Sequence, residues 1–241
     1  MKLYEFIDKT IFFPHYGILV VGDLHIGYEQ ELIESGISLP ERQILDTISD
    51  FKKIIKEIEN KRWKLKKIVF IGDIKHFFGY EQKENTNFSK ILDFLKTKVS
   101  EKNIVLIKGN HDLAGFGLDL KNYYIYRNIA FVHGHKVYPE IFKKNINFII
   151  LGHLHPSVML EDKNGVKKEI YKCFLEGKYK GKILIVLPSF LDFTEGTLIN
   201  EYGEYYLESF SIIPKRYIIN FNVYVVGENE VYQFGKVKNF I

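Results

Sequence analysis

Apolar residues, many of them β-branched, come four at a time at residues 18–21, 68–71, 104–107, 129–132 and 148–151. A run too short for a helix and free of polar alternation predicts a strand buried on both faces. Between the first two runs, Ile44, Ile48, Phe51, Ile55 and Ile58 step by four and three, which puts them on one face of a helix over 40–60. Ser38 stands near its start and Pro40 near its first turn, where a missing N–H costs nothing. A second helix is expected over about 87–99. Strands alternating with helices predict α/β layering, with helices laid over a sheet.

From about residue 157 the pattern changes to period-two alternation broken by turn signals. Asn164-Gly165 lies between 157–161 and 166–171, the strongest short-range sign of a hairpin. Further strands are expected at 183–187, 205–211 and 217–226, mostly antiparallel. No Pro, Gly or Ser-rich linker separates the halves, so 1–241 is expected to form one domain.

The candidate chemistry lies just after the five buried strands. They run into Gly22-Asp23-Leu24-His25, Gly72-Asp73-Ile74-Lys75-His76, Gly109-Asn110-His111-Asp112, His133-Gly134-His135 and Gly152-His153-Leu154-His155. Seven of the eight histidines fall in these segments, with His15 outside them. The carboxyl ends of strands form the edge of an open α/β sheet where sites assemble. A lone Asp or His there is more often a turn former than a ligand; five such segments in succession change that reading. Carboxylate, imidazole and amide oxygen together suit Mn²⁺, Fe²⁺ or Zn²⁺ rather than an all-oxygen calcium site, and so many donors point to two ions rather than one. No G-x-G-x-x-G, P-loop or G-x-S-x-G occurs, which disfavours dinucleotide binding, P-loop chemistry and a serine hydrolase.

Composition narrows the setting. Over 241 residues, 46% hydrophobic and 27% charged positions describe a folded globular chain and exclude disorder. Its 34 basic and 30 acidic residues leave +4, compatible with a phosphate-bearing substrate but too little for a nucleic-acid coat. Cys173 is the one cysteine, so no intramolecular disulfide can form. No apolar run approaches the roughly 18 residues of a membrane span, and the first ten residues are too charged for an export signal. A cytoplasmic protein without a membrane partner is expected.

The ordered motifs G-D-x-H, G-D-x-x-H, G-N-H-D, H-G-H and G-H-x-H, spanning 22–155, resemble those of the calcineurin-like metallophosphoesterase superfamily. Within it, GDLHIGYEQELIESGISLP at 22–40, the variant GDIKH and LPSFLDFTEGTLIN at 187–200 resemble the ICC-like phosphoesterases. That group has archaeal stand-alone members and bacterial members associated with DNA ligase and helicase genes. The resemblance implies a four-layer αββα sandwich of two mixed sheets flanked by helices, with a two-metal site at their upper edge and manganese as the first choice of metal, Fe or Zn being the others. It places Asp23, His25, Asp73 and His155 around one ion and Asp73, Asn110, His133 and His153 around the other. Asp73 is then the bridge, a role that suits a carboxylate because it has two oxygens and a charge to share. His111 is left to face the phosphate as an acid or charge-stabilising donor, with Asp112 orienting its ring. His76 and His135 are divided between backing the ligands and facing substrate. The implied reaction is attack on phosphorus by a hydroxide held between the ions, and a helicase is the partner that the resemblance suggests.

The ligands do not choose the substrate. Segment 161–182 has seven lysines against four acidic residues, net +3, and 50–67 has eight basic residues against three acidic, net +5. Either could grip a polynucleotide backbone, although a solvated hairpin and a solvated helix face are the plainer explanations. Tyr28, Phe77, Phe78 and Tyr80 adjoin the motifs and could stack on a base or simply pack. The leading expectation is a divalent-metal-dependent phosphodiesterase acting on nucleic acid or a nucleotide. The alternatives are a phosphomonoesterase acting on a small metabolite or phosphoprotein, and a non-catalytic scaffold of the same fold.

Overall fold

The computed structural model describes residues 3–77, 82–112, 118–161, 167–200 and 211–240. Its first sheet opens with the short strands β1 (Glu5–Ile7) and β2 (Thr10–Phe13), joined by a tight turn at Asp8 and antiparallel to β3 (Ile18–Val21). Next come β4 (Lys67–Phe70) and β5 (Ile104–Ile107), both parallel to β3, and the two-residue β6 (Leu120–Lys121). Helices α1 (Tyr28–Glu34) and α2 (Gln43–Asn60) lie between β3 and β4, and α3 (Gln82–Lys96) lies between β4 and β5.

The second sheet takes in β7 (Tyr123–Tyr126), β8 (Ile129–Val132), β9 (Phe148–Leu151), β10 (Pro156–Glu161), β11 (Lys168–Tyr179), β12 (Lys182–Val186), β13 (Thr197–Leu198), β14 (Asn222–Val226) and β15 (Val231–Lys236). Its main path runs β13-β10-β11-β12-β9-β8-β7, and β14 joins β11 and carries β15. Both sheets are mixed, because β8, β9 and β12 run parallel while β10 to β12 and β14 to β15 are antiparallel.

Successive side chains on a strand point to opposite faces, and this alternation divides the core into layers. Val20, Val69 and Ile107 from the first sheet meet Phe131, Ile150 and Ile185 from the second in an inner layer. Their neighbours Leu19, Phe70 and Leu106 face outward to Phe51, Ile55 and Phe88 of α2 and α3. On the far side, Val132, Leu151 and Val186 are covered by Ile141, Ile146, Ile213, Ile218 and Phe221. That fourth layer is thin. It consists of α4 (Lys215–Ile218), single 3₁₀ turns at Pro139–Phe142 and Val237–Asn239, and the loops around them.

Several expectations are revised by this arrangement. The first helix begins at Gln43 rather than 40, and the second is Gln82–Lys96 rather than 87–99. Residues 217–226 are not one strand: after Pro214 the chain makes the turn of α4, which buries Ile218, and Phe221 is buried just after it, before β14 begins. The strands β10 and β11 pair in the register of the expected hairpin, Glu161 opposite Lys168, while Asn164-Gly165 and 205–210 lie outside the described residues.

The inner layer is where truncation should cost most. Phe131→Ala is expected to lower unfolding free energy by about 3–5 kcal/mol. Ile37→Ala, at a site 48% exposed, should stay within about 0.5 kcal/mol. Urea unfolding of both variants checks the pair.

Candidate metal centre

Where β3 and β4 end, their following loops are zipped together by the backbone. Leu24 and His25 both donate N–H to the Asp73 carbonyl at 3.0 Å, Ile26 donates to Ile74 at 2.9 Å, and His76 donates to Ile26 at 2.9 Å. The two loops are therefore held against each other, and they present Asp23, His25 and Asp73 to one ligand set. The loop after β9 joins them: the His153 N–H lies 3.2 and 3.3 Å from the two carboxylate oxygens of Asp23.

Close approach explains two of the motif glycines. A Cβ on Gly109 would stand 2.0 Å from Asp73 Oδ1, and one on Gly152 would stand 2.4 Å from Asp23 Oδ2. The backbone is also forced elsewhere. His25, Asp73, His153 and His155 all lie in the left-handed region, at φ 44, 44, 67 and 43. Each such residue costs of order 1–3 kcal/mol, and such strain gathers where side chains must converge for function.

Two overlapping ligand sets result. Asp23, His25, Asp73 and His155 each bring one donor atom to within 4.8 Å of the others, and Asp73, His133 and His153 do the same. Asn110 joins the second set, its Oδ1 3.0 Å from His133 Nε2. Asp73 belongs to both: its Oδ2 lies 3.3 Å from His133 Nε2 and 3.9 Å from His25 Nε2, while its Oδ1 accepts the His111 N–H at 3.0 Å. His25, His76 and His111 form a third group within the same reach, overlapping the first set at His25.

The donor chemistry fits a cation. His133 Nδ1 faces the Ile71 carbonyl at 3.0 Å and must donate to it, so Nε2 turns its other valence toward Asn110 Oδ1 and Asp73 Oδ2. Three acceptors then meet at one point unless a proton or a metal ion sits among them. In the protein alone it is the proton: burial works against it, but the bond to Asp73 and the charge of Asp23 push the His133 pKa up to about 9. His25 shows the reverse. Burial, reinforced by the neighbouring His155, lowers its pKa to about 3, so its ring is neutral and its Nε2, 3.3 Å from His155 Nε2, can be a ligand. Burial would raise both aspartates, yet His155 and His133 hold Asp23 below its ordinary value, and His133 and His25 do the same for Asp73.

The remaining motif residues find other places. His111 Nδ1 donates to the His76 carbonyl at 2.5 Å, and its Nε2 lies 3.9 Å from Asp73 Oδ2, at the edge of the sets. Asp112 does not orient that ring. Its buried carboxylate accepts the N–H groups of Ile74, Lys75 and Gly109, at 3.1, 3.2 and 2.9 Å, so it ties two ligand loops together. His76 stacks on His111 with centroids 5.7 Å apart, contacts Glu31 through Nε2, and has the rings of Tyr28 and Phe77 beside it. His135 sits against His133 and His153, its pKa lowered by burial and by His133. Phe78 and Tyr80 lie outside the described residues.

Sequence reasoning missed the supports. Glu84 on α3 accepts the N–H groups of His76 and Phe77, and Ser189 Oγ donates to the Asp23 carbonyl at 3.1 Å. Ser189 belongs to the 187–200 segment, and the resemblance of that segment to the ICC-like phosphoesterases was the signal available for it. In the basic segment 161–182, three of the lysines are engaged within the fold. Lys172 turns inward to the carbonyls of Ser189 and Leu191, and burial lowers its pKa to about 8, while Lys167 and Lys168 pair with Glu169 and Glu161. The backbone N–H groups of Lys66 and Lys67 donate to the Gly17 carbonyl at the entry to β3, so the second basic segment ends at the edge opposite the ligand loops.

The calcineurin-like phosphoesterase family matches residues 16–143, just over half of the sequence. The chain belongs to that family. It is therefore a hydrolase acting on phosphoester bonds, from a metal-dependent family, and the two ligand sets are where its metal chemistry is expected. Among solved structures, a Pseudomonas putida nuclease MPE has the same fold, with TM-score 0.60 and 19% identity over 94% of this chain and 92% of that one. Zinc-complexed Vps29 from Entamoeba histolytica matches at TM-score 0.36 and 14% identity, covering 90% of this chain and 96% of that one. An uncharacterized protein from Streptococcus pneumoniae, described as a predicted phosphoesterase, matches at TM-score 0.36 and 12% identity, covering 91% of this chain and 97% of that one. A search of curated proteins finds no significant match. Among the described residues no helix is long and apolar enough to cross a membrane.

Because Gly109 touches Asp73, Gly109→Ala in this phosphoesterase should abolish uptake of at least one divalent ion, as read by elemental analysis. Gly36→Ala makes the control: nothing lies within 4 Å of its Cβ, though its φ of 94 is left-handed. It should cost about 1–2 kcal/mol of stability and leave uptake intact.

Proposed function

We propose that the protein is a two-metal phosphodiesterase acting on nucleic acid or nucleotides, with manganese as its working metal, in the cytoplasm. The observation that carries this reading is the pair of ligand sets sharing Asp73, with His111 at their edge. Asp23, His25, Asp73 and His155 would hold one ion, and Asp73, Asn110, His133 and His153 the other. Bound there, two divalent ions supply Lewis acidity, which acidifies water and offsets charge on the phosphoryl oxygens.

The chain's own residues do the rest. Asn110 contributes a neutral oxygen, which keeps the site from accumulating carboxylate charge that would repel a phosphate. Asp23 and Asp73, buried and held ionised, supply the fixed negative charge that the cations need. His111 is oriented by its Nδ1–H bond to the His76 carbonyl, so in the neutral ring the proton sits on Nδ1 and in the imidazolium a second one is added at Nε2. That second proton is placed to stabilise a phosphoryl oxygen or to pass to the leaving oxygen. Tyr28 and Phe77, flanking His76, form an apolar wall suited to a base or ribose. The nuclease among the structures of this fold makes a polynucleotide the first substrate to try.

His111→Ala should keep its full metal content while turnover falls about 10²–10⁴-fold. If the ring acts as an acid, the fall is smaller for a nitrophenolate leaving group that needs no proton. Loss of metal would place His111 among the ligands and overturn the assignment. A screen under Mn²⁺ should show diesters cleaved faster than monoesters. A clear monoester preference, with no nucleic-acid binding at low salt, would favour the phosphomonoesterase reading.

A further inference from the structure

After His25 the chain leaves the sheet edge, runs through α1, and returns at the start of α2, where the side chain of Gln43 is buried. Its carboxamide meets three backbone groups around His25. Oε1 accepts the Gly27 N–H at 3.1 Å, and Nε2 donates to the carbonyl of His25 at 2.9 Å and approaches that of Leu24 at 3.4 Å. Among side chains, the amides of Asn and Gln combine a carbonyl acceptor with two N–H donors, which this arrangement uses. The stretch it grips is one that the backbone would not choose unaided, with φ 44 at His25 and 104 at Gly27.

Gln43 is itself held in place. Arg42, the residue capping α2, makes no side-chain capping bond. The buried carboxylate of Glu29, from α1, instead accepts the N–H groups of Arg42 and Gln43 at 2.7 and 3.1 Å. A carboxylate at the positive end of a helix satisfies donors that would otherwise be orphaned. Behind it, Phe51, Ile54, Ile55 and Ile58 anchor α2 in the core. The excursion from 27 to 43 thus closes on itself, and a packed helix stands behind the backbone of one metal ligand.

We propose that Gln43, locked by Glu29, is a positioning residue that holds His25 in its left-handed conformation and thereby sets the affinity of the Asp23, His25, Asp73 and His155 set for its ion. The proposal rests on the metal-centre reading above. It also makes a selective statement: the hydrogen bonds of the Gln43 side chain go to Leu24, His25 and Gly27 and to none of Asn110, His133 or His153, so one ion should respond and not both.

The test is calorimetric titration of the full chain with Mn²⁺ for the wild type, Gln43→Glu and Gln43→Ala, together with the unfolding temperature of each metal-free protein. Gln43→Glu is nearly isosteric and can still accept from Gly27, but it loses the donor to His25 and sets a carboxylate oxygen against that carbonyl. Both variants should bind one of two ions about 10–100-fold more weakly, with the other ion unaffected. Unchanged affinity at both sites, or an equal loss at both that tracks a drop in metal-free stability, would overturn the proposal. A wild type that binds fewer than two ions would instead contradict the metal-centre reading. The clamp would then be judged by amide exchange in the metal-free protein. Exchange at Gly27 about tenfold faster in Gln43→Ala, with β3 amides unchanged, upholds it, and unchanged exchange at Gly27 overturns it.

Discussion

The structure depends on where the carboxylate of Asp73 is held. One oxygen is fixed by the His111 N–H, and the other faces His133 on one side and His25 on the other. A residue that serves two ligand sets must be placed more accurately than one that serves a single set, since a shift that improved one set would spoil the other. The surroundings answer that demand. The Asp73 carbonyl takes two amide bonds from the β3 loop, Asp112 ties the next two amides to the β5 loop, and Gly109 keeps the space beside Oδ1 open.

Holding such a point strains the chain. Four proposed ligands, His25, Asp73, His153 and His155, sit in left-handed backbone, and the buried carboxylates of Asp73 and Asp23 favour a proton on His133. The layers beneath supply the compensating stability. The inner layer between the sheets is built from alternate residues of the same strands whose ends carry the ligands, so packing and chemistry share one register. A slip of one residue in β3 or β4 would turn core side chains outward and also carry Asp23 or Asp73 away from the edge.

This coupling is why much of the fold was legible in the sequence. Four of the five apolar runs ended directly on their motifs, the third being one residue short at Lys108, and the runs at 18–21, 104–107, 129–132 and 148–151 coincide with β3, β5, β8 and β9. What escaped was anything set by a distant partner. The strands β1 and β2 are too short to show a period, and 217–226 reads as strand until Pro214 and the buried Ile218 and Phe221 impose a turn. Asp112 was read as a partner of its sequence neighbour His111, but a carboxylate does not announce which donors it will meet, and these amides come partly from the loop after β4. Lys172 looked like part of a basic strip, and only the fold brings the carbonyls of Ser189 and Leu191 to it. Gln43 lay at the start of a helix among polar residues, with nothing nearby in sequence to mark it as a grip on His25.

The central claim is that one shared carboxylate, Asp73, organises two metal ions for phosphoester hydrolysis. Its most direct test is to count Mn²⁺ in wild type and Asp73→Asn by elemental analysis of reconstituted protein, with diester turnover measured on the same samples. The account predicts two equivalents in the wild type, with loss of at least one and of activity in the variant, because two cations would then face each other across a neutral amide. Two equivalents retained with unchanged activity in Asp73→Asn would contradict it.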